Sequence, residues 1–323
     1  MAGETADVVM FGPKPIIEET LSKAPRLQLH KAWAAPDYEA FVSRIASTVR
    51  GIAAVAGHGP VDAKLMSRFP KLEIVSSFGV GYDHIDAKWA GEHGIIVTNT
   101  PDVLNEEVAD TALGLLLCTV RHFPQAEKYL RAGNWPKHGD YQLTPSLRDR
   151  TVGIVGMGRI GKAIARRLDA MKVPVVYHTR RPADVPYKYY PSLLDMARDV
   201  DVIVVITPGG AATKNLVNAD VLKALGPQGI LVNVARGSVV DEEALIAALK
   251  DGTILSAGLD VFANEPKVPQ ALIDMDNVVL LPHVGSASHA TRRAMDELVA
   301  NNIISFFSGK GPITPVPETP PKK

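Results

Sequence analysis

The sequence is poor in several features that mark particular classes of protein. Its single cysteine, Cys118, excludes a disulfide framework and a metal centre built mainly from cysteine. No apolar run approaches the ~18 residues of a membrane-spanning helix, and the start lacks the basic, apolar pattern of a secretory signal. Lys plus Arg and Asp plus Glu both number 35, so the positive field of many nucleic-acid-binding proteins is missing. These absences predict a cytoplasmic protein that binds neither membrane nor nucleic acid.

The composition that remains is that of an ordinary globular protein. The chain has 323 residues, 46% hydrophobic and 22% charged, which suits two domains. Its nine histidines include no His-Glu-x-x-His pattern or similar cluster, so we predict no metal site. Residues 312–323 contain five prolines, and we expect them to form a disordered tail.

The second half of the chain has the pattern of a parallel sheet. Short β-branched runs alternate with helical patterns of ten to fifteen residues, as in βαβ units. Several of the runs are apolar throughout, which indicates that helices cover both faces of the sheet. The predicted strands are 152–155, 174–177, 202–206, 230–234, 256–260 and 278–281.

The first hundred residues repeat this pattern more weakly and predict a second, smaller α/β domain. Its candidate strands are 8–11, 27–30, 52–56, 72–76 and 95–97. Apolar residues recur at helical spacing in 105–133 and in 290–307, so each of these segments is predicted to be a helix.

A glycine-rich turn follows the first strand of the second half. Residues 151–162 read TVGIVGMGRIGK, a strand that leads through Gly-x-Gly-x-x-Gly into a helix. In a dinucleotide-binding fold Gly156 permits the turn, Gly158 lets backbone approach the pyrophosphate, and Gly161 allows close helix packing. The helix N-terminus offers N–H groups to the phosphates. A turn without a ligand is the alternative, but the surrounding βα pattern favours a dinucleotide site.

The residues after the next strand bear on the choice of cofactor. An acid at this point would bind the adenosine ribose 2′-OH and repel a 2′-phosphate. This sequence instead reads Tyr177-His178-Thr179-Arg180-Arg181, with a hydroxyl and two guanidiniums suited to phosphate. The alternative is a solvated basic loop. We predict NADPH as the cofactor, with NADH as a weaker substitute.

Three ionisable side chains stand just beyond the ends of predicted strands: Arg236, Glu265 and His283. Parallel strands bring these ends to one edge of the sheet. A histidine that moves a proton, a carboxylate that keeps it charged and an arginine that binds an anion suffice to reduce a 2-oxo acid. Taken singly, each could equally be a surface residue, a loop charge or a histidine satisfied by its neighbours.

Several motifs together resemble the D-2-hydroxyacid dehydrogenases in order and spacing. They are GMGRIG (156–161), NVARGSVVD (233–241), GLDVFANEP (258–266) and LPHVGS (281–286). Within that family, VSSFGVGYD (75–83) and TNTPDVL (98–104) look most like the glyoxylate/hydroxypyruvate reductases, including the plant hydroxyphenylpyruvate reductases. Residues 179–181 are similar to the basic turn of the NADPH-preferring members.

The resemblance implies two Rossmann-like or flavodoxin-like α/β domains. A doubly wound parallel sheet of six or seven strands would form the dinucleotide-binding domain, residues 100–287. It would be inserted into a smaller substrate domain made of residues 1–99 and 288–311. The family generally pairs protomers through the cofactor domain and the long helix, so the resemblance also implies a homodimer.

The resemblance assigns residues to the site as well. Arg236, Glu265 and His283 would be catalytic, and Val80 and Gly81 would join Arg236 in binding the substrate carboxylate. The cofactor would contact Leu104, Val108, Gly156, Gly158, Arg159, Ile160, Gly161, Thr179, Arg180, Arg181, Thr207, Pro208, Val234, Ala235, Asp260, His283, Gly285 and Ser286. The chain departs from its relatives at Asn105, where Thr, Ser or Asp is common, and in the loop 135–141. These departures concern substrate size.

The implied reaction is the NADPH-dependent reduction of small 2-oxo acids, such as glyoxylate, hydroxypyruvate or aryl pyruvates, to D-2-hydroxy acids. Arg236 would hold the carboxylate and polarise the carbonyl, and protonated His283, oriented by Glu265, would give its proton to the carbonyl oxygen. The alternatives are an NAD-linked dehydrogenase for another donor and a nucleotide-sensing scaffold with the same fold.

Overall fold

The computed structural model describes residues 5–55 and 59–320, which form two compact units. The first unit consists of the chain up to Leu104 together with the segment from Ser288 onward, and the second unit spans Asn105–Ala287. The boundaries therefore fall at 104/105 and 287/288, the first of them five residues beyond the predicted position.

The first unit contains a five-stranded parallel sheet in the order β2-β1-β3-β4-β5. Its strands are β1 (Ala6–Met10), β2 (Leu27–Lys31), β3 (Val49–Ala54), β4 (Ile74–Ser77) and β5 (Ile96–Thr98). Its first four helices are α1 (Pro15–Lys23), α2 (Tyr38–Ile45), α3 (Ala63–Met66) and α4 (Ala87–Glu92). The predicted third strand reached residue 56, which lies outside the described residues.

The second unit contains a seven-stranded parallel sheet in the order β12-β11-β10-β9-β6-β7-β8. Its strands are β6 (Val152–Val155), β7 (Val175–His178), β8 (Lys188–Tyr190), β9 (Val202–Val205), β10 (Ile230–Asn233), β11 (Ser256–Leu259) and β12 (Val278–Leu280). Its helices are α5 (Asn105–Arg121), α6 (Phe123–Arg131), α7 (Trp135–His138), α8 (Arg159–Ala170), α9 (Leu193–Asp199), α10 (Ala219–Leu225), α11 (Glu242–Lys250) and α12 (Gln270–Ile273). Helix α13 (His289–Phe307) returns to the first unit.

Both faces of the seven-stranded sheet are covered, as the apolar strands predicted. Alternate residues of one strand enter different cores: Val202 and Val204 pack with α5 and α8, whereas Ile203 and Val205 pack with α9 to α11. Because side chains alternate across a strand, an entirely apolar strand fills both layers. The prediction of a doubly wound α/β fold is confirmed.

Most helices begin where the sequence supplies a capping side chain. In each case the carboxylate, amide or hydroxyl oxygen accepts a hydrogen bond from the N–H three residues further on, which satisfies one of the free donors of the first turn. The capping residues are Asp37, Asp62, Asp86, Ser192, Asn218, Asp241 and Ser288.

Two elements differ from the sequence prediction. The helix predicted over 105–133 is broken at His122, which has a positive φ of 50°, and α6 begins at the next residue with Pro124 in its first turn. Proline cannot continue a helix interior, so the pattern of apolar residues runs across two helices. Strand β8 was missed because Lys188-Tyr-Tyr190 is short and follows a polar turn.

The predicted disordered tail is also not what the structure contains. Residues 312–320 lie along β5, where Val316 N–H donates to the Val97 carbonyl and Val316 is 2% exposed. The Thr319 hydroxyl accepts from Val97 N–H at 2.8 Å. An isolated antiparallel bridge at Pro315 explains how a proline-rich segment can lie at a sheet edge, since proline is tolerated where no N–H donor is needed.

Candidate functional site

The carboxyl ends of the strands of the second unit form the edge that carries the predicted cofactor and catalytic residues. The chain winds from β6 outward through β7 to β8, then returns to the other side of β6 and continues through β9 to β12. The reversal leaves a crevice beyond the end of β6, which is where open α/β sheets bind ligands. Within the described residues no helix is long and apolar enough to span a membrane, and no three His, Cys, Asp or Glu side chains are grouped to hold a metal.

The glycines of the turn after β6 differ in what surrounds them. Gly156 has a φ of +108°, and a Cβ there would lie 2.8 Å from the Ile206 carbonyl oxygen. A Cβ on Gly161 would lie 2.1 Å from the Gly156 carbonyl oxygen. A Cβ on Gly158, by contrast, would meet nothing within 4 Å. Gly156 and Gly161 are therefore required by packing, and Gly158 leaves open space before α8, whose first turn has no side-chain cap.

The basic turn after β7 is held in place by tyrosines. The Tyr177 hydroxyl donates to the Ala183 carbonyl and accepts from Ala183 N–H, and the Tyr189 hydroxyl donates to the Thr179 carbonyl at 3.1 Å. Arg180 and Arg181 are exposed, and neither has an ion-pair partner in the described part of the chain. No acid follows β7 directly, so the turn presents positive charge.

His283 and Glu265 form a hydrogen-bonded pair. His283 Nδ1 lies 2.7 Å from Glu265 Oε2, and Glu265 Oε1 accepts from Phe262 N–H at 3.0 Å. Burial alone would raise the pKa of Glu265, but the hydrogen bonds from His283 and Phe262, with the charges of His283 and Arg236, lower it below its usual value. The His283 side chain is 47% exposed, and its Nε2 has no hydrogen-bond partner in the described ranges. Nε2 is thus available to a ligand.

Asp260 holds the chain that follows His283. Its two carboxylate oxygens accept from Val284 N–H at 2.7 Å and Gly285 N–H at 2.8 Å. Burial raises the pKa of Asp260, although these two hydrogen bonds and the His283 charge oppose the rise. His283 itself has a φ of 54°, a backbone conformation that is uncommon outside glycine and persists where neighbouring contacts hold it.

Arg236 lies on a loop that packs against the Glu265 loop. Buried Asn233 donates from its side chain to the Arg236 carbonyl at 3.0 Å and accepts from Ala235 N–H at 3.0 Å. A Cβ on Gly237 would lie 1.9 Å from the Phe262 carbonyl carbon, so only glycine allows this approach. Strands β10, β11 and β12 are adjacent, and their loops bring Arg236, Glu265 and His283 to one edge of the second unit.

The other cofactor positions of the second unit that the sequence analysis names lie along the same edge or near it. Ser286 is half-buried and Val108 is 7% exposed beside Gly285. Leu104 is buried in the first unit. Of the remaining positions, Arg159 and Ile160 begin α8, and the others lie just after β9 and β10: Thr207, Pro208, Val234 and Ala235.

The loop predicted to bind the substrate carboxylate belongs to the first unit and follows β4. Gly79 has a φ of +138°, and its N–H donates to the Thr100 hydroxyl at 3.0 Å. The N–H groups of Val80 and Gly81 donate to no residue within 5–55 or 59–320. They are therefore available as anion donors.

Sequence reasoning missed three supporting residues. Asn233, Asn99 and Thr100 each bind the backbone of a loop that carries a predicted site residue. All three directly end or follow a strand at the carboxyl edge of its sheet. That position, together with a side chain that both donates and accepts, is the signal that could have identified them.

Comparison with known proteins places this arrangement in a family. Residues 113–285 match the family described as D-isomer specific 2-hydroxyacid dehydrogenase, NAD binding domain. Glyoxylate/hydroxypyruvate reductase A of Arabidopsis thaliana is 45% identical over 97% of this chain and 99% of its own length. Hydroxyphenylpyruvate reductase of Plectranthus scutellarioides is 43% identical over the same shares.

A solved structure is similar over its whole length. The NADPH-dependent glyoxylate/hydroxypyruvate reductase of Sinorhizobium meliloti, in complex with NADP and malonate, is 51% identical, with 99% of each chain covered and a TM-score of 0.92. The predicted resemblance is confirmed, and this chain belongs to the D-isomer specific 2-hydroxyacid dehydrogenase family.

Proposed function

We propose that this protein reduces small 2-oxo acids, such as glyoxylate and hydroxypyruvate, to D-2-hydroxy acids with NADPH. The observation that carries the proposal is the His283–Glu265 pair, set beside Arg236 on the edge that also holds the glycine turn. The similar Arabidopsis and Sinorhizobium proteins are glyoxylate/hydroxypyruvate reductases, which supports the same activity here.

The residues present fit NADPH. Open space at Gly158 and the uncapped first turn of α8 suit a pyrophosphate, because both expose backbone N–H groups to it. The exposed Arg180 and Arg181 suit a 2′-phosphate. When bound, NADPH supplies the hydride of the reaction, and the protein supplies orientation and charge.

Each residue of the catalytic set has a distinct role in the proposal. Arg236 binds the substrate carboxylate and polarises the carbonyl, which fixes the reacting carbon in one orientation. His283 donates a proton from Nε2 to the carbonyl oxygen, where negative charge develops. Glu265 accepts a hydrogen bond from Nδ1 and orients the imidazole, and its lowered pKa favours its own ionised form. Val80 and Gly81 are proposed as further donors to the carboxylate.

The test is NADPH and NADH oxidation by the purified protein, followed by absorbance, against glyoxylate, hydroxypyruvate, pyruvate and phenylpyruvate. We expect turnover with NADPH to exceed turnover with NADH, and a two- or three-carbon acid to be preferred. Greater turnover with NADH would favour the NAD-linked alternative. Cofactor binding without turnover of any acid would favour the nucleotide-sensing scaffold.

We also propose a homodimer formed through the second unit. Supporting this, the segment after α5 exposes several large apolar side chains, which a monomer would leave in water. They are Phe123, Leu130, Trp135 and Leu143, exposed by 48%, 54%, 57% and 101%. Light scattering after gel filtration should give twice the 34.7 kDa chain mass, and a monomer at micromolar concentration would exclude the dimer.

A further inference from the structure

Asn99 and Thr100 follow β5 and make three hydrogen bonds to residues 79–81 after β4, which we call the carboxylate loop. Thr100 N–H donates to the Gly79 carbonyl at 2.9 Å, and the Thr100 hydroxyl accepts from Gly79 N–H at 3.0 Å. The Asn99 side-chain amide donates to the Val80 carbonyl at 2.9 Å. Thr100 is fully buried.

These contacts determine where two N–H groups point. In a trans peptide the carbonyl and the following N–H point in opposite directions. Because Thr100 holds the Gly79 carbonyl, the Val80 N–H points away from Thr100. Because Asn99 holds the Val80 carbonyl, the Gly81 N–H points away from Asn99. The N–H groups of Val80 and Gly81 have no hydrogen-bond partner in the described part of the chain.

The position of Asn99 depends in turn on the C-terminal segment. The Thr314 hydroxyl donates to the Asn99 carbonyl at 2.6 Å, and the Thr314 carbonyl accepts from Asn99 N–H at 3.3 Å. Asn99 is thus bonded to one residue through both its backbone groups. It still has its side chain free to reach Val80.

Thr314 is held by Asn302 of α13, which is fully buried. The Asn302 amide donates to the Thr314 hydroxyl and to the Leu298 carbonyl, both at 2.9 Å. Its oxygen accepts from Ile313 N–H at 2.9 Å and Thr314 N–H at 3.0 Å. All the hydrogen-bonding capacity of this amide is used, which gives the connection a single geometry.

We infer that Asn99 and Thr100, supported by Thr314 and Asn302, are positioning residues that aim the Val80 and Gly81 N–H groups at the substrate carboxylate. The inference deepens the proposed function and depends on it for the identity of the anion. It assigns a role in substrate binding to the C-terminal segment, which lies more than 200 residues from the loop in sequence.

The first test replaces Asn99 with Asp, which has the same shape but presents an acceptor to the Val80 carbonyl. Loss of one such hydrogen bond with repulsion in its place should raise KM for the 2-oxo acid and the Kd of oxamate about tenfold or more, since tenfold corresponds to about 1.4 kcal/mol. kcat at saturating acid and the Kd of NADPH should change much less. An unchanged KM would overturn the inference.

A matched pair of variants tests the supporting segment. Thr314→Val removes the hydroxyl that holds Asn99, whereas Thr319→Val removes a hydroxyl of the same segment that bonds only to Val97. Both variants lose the two hydrogen bonds of one hydroxyl, so both should melt at a lower temperature. Only Thr314→Val should raise KM, and equal KM values in the two variants would contradict the role of Thr314.

A crystal structure of the Asn99→Asp variant separates this inference from the proposed function. The peptide between Val80 and Gly81 should turn, so that its carbonyl no longer faces residue 99. If wild type neither turns over a 2-oxo acid nor binds oxamate, the proposed function fails, and the orientation of this peptide still tests the positioning. An unchanged peptide in the variant would overturn the inference whatever the substrate.

Discussion

His283 combines an uncommon backbone conformation with a hydrogen bond to a carboxylate. Its positive φ directs the ring toward Glu265, and Asp260 binds the next two N–H groups, so the conformation is held from both sides. The acidic partners differ accordingly: the pKa of Glu265 is lowered and that of Asp260 is raised by burial. Glu265 accepts from both the imidazole and a backbone N–H, whereas the two hydrogen bonds of Asp260 described here come from backbone N–H groups.

Replacing His283 with Gln should remove the proton donor and leave the fold intact. Because general acid catalysis contributes about 10²- to 10⁴-fold, kcat for reduction should fall by that factor. The Kd of NADPH, measured by fluorescence titration, should change little. Turnover close to wild type would remove His283 as the acid.

Glu265→Gln should lower turnover and change the pH dependence of stability. Without the carboxylate, the charge-assisted hydrogen bond to Nδ1 of His283 becomes weaker, so the imidazole is oriented less firmly and kcat should fall. Since folding lowers the pKa of Glu265, its ionised form stabilises the fold above its unfolded pKa, and this is lost as pH falls through the folded pKa. The free energy of unfolding measured in urea should therefore be higher for wild type than for the variant near neutral pH, and the difference should shrink in acid.

The control for that substitution is Glu242→Gln. Glu242 accepts from Ala263 N–H, one residue beyond the N–H that Glu265 accepts, and it does not touch the imidazole. Its variant should keep the wild-type turnover. A loss as large as that of Glu265→Gln would mean that charge on the loop, rather than the hydrogen bond to His283, supports turnover.

At the scale of elements, the glycines of the turn from β6 into α8 have different roles, although they look alike in the motif. Gly156 and Gly161 are limited by neighbouring backbone, whereas Gly158 faces open space. The basic turn after β7 depends on β8, because the Tyr189 hydroxyl holds Thr179. A strand that sequence reasoning missed thus supports the predicted phosphate turn.

Gly161→Ala and Gly158→Ala should separate packing from binding. The new methyl of Gly161→Ala meets the Gly156 carbonyl, so this variant should lose both thermal stability and NADPH affinity. Gly158→Ala has room for the methyl, so it should melt near wild type and lose NADPH affinity alone. Equal losses of melting temperature in the two variants would contradict this division.

Arg180→Asp should weaken NADPH binding far more than NADH binding, because only NADPH carries the 2′-phosphate. Lys172→Asp is the charge-matched control: Lys172 lies between α8 and β7, at the amino end of that strand, and is also exposed. Its variant should leave the NADPH-to-NADH affinity ratio unchanged. Equal losses for both cofactors in Arg180→Asp would exclude the phosphate role.

At the scale of the whole molecule, the chain closes its first unit with residues from its far end. Helix α13 and the segment 312–320 complete a unit that begins with β1, and Val316 enters the core of that unit. The Ser76 hydroxyl donates to the Val299 carbonyl at 3.0 Å, another bond between the ends of the chain. The stability of the first unit therefore depends on its C-terminal residues.

Truncation after Gly311 should lower the melting temperature. It removes buried Val316, worth about 1.5 to 3 kcal/mol of burial, together with the hydrogen bonds of Thr314 and Thr319. Truncation after Pro320 is the control, since it retains all of these contacts. If both truncated chains have the melting temperature of wild type, the segment contributes nothing to stability.

Local sequence patterns were enough to predict much of the fold and of the candidate site. The apolar strand runs predicted the doubly wound sheet because a buried parallel strand must be apolar on both sides. The GMGRIG motif identified the crevice, and the order of Arg236, Glu265 and His283 after consecutive strands placed them on one edge. Each of these inferences needs only neighbours in sequence and the parallel direction of the strands.

Tertiary structure decided what depends on distant partners. The sequence of residues 312–320 predicts disorder because the prolines exclude regular structure. In the folded chain this segment lies against the edge strand β5 and donates two hydrogen bonds to the buried side-chain amide of Asn302. The roles of Asn99 and Gly237 likewise appear only when a second loop comes against them. A hydrogen bond or a close contact between residues of different elements leaves no periodicity in the sequence, so only the folded chain reveals it.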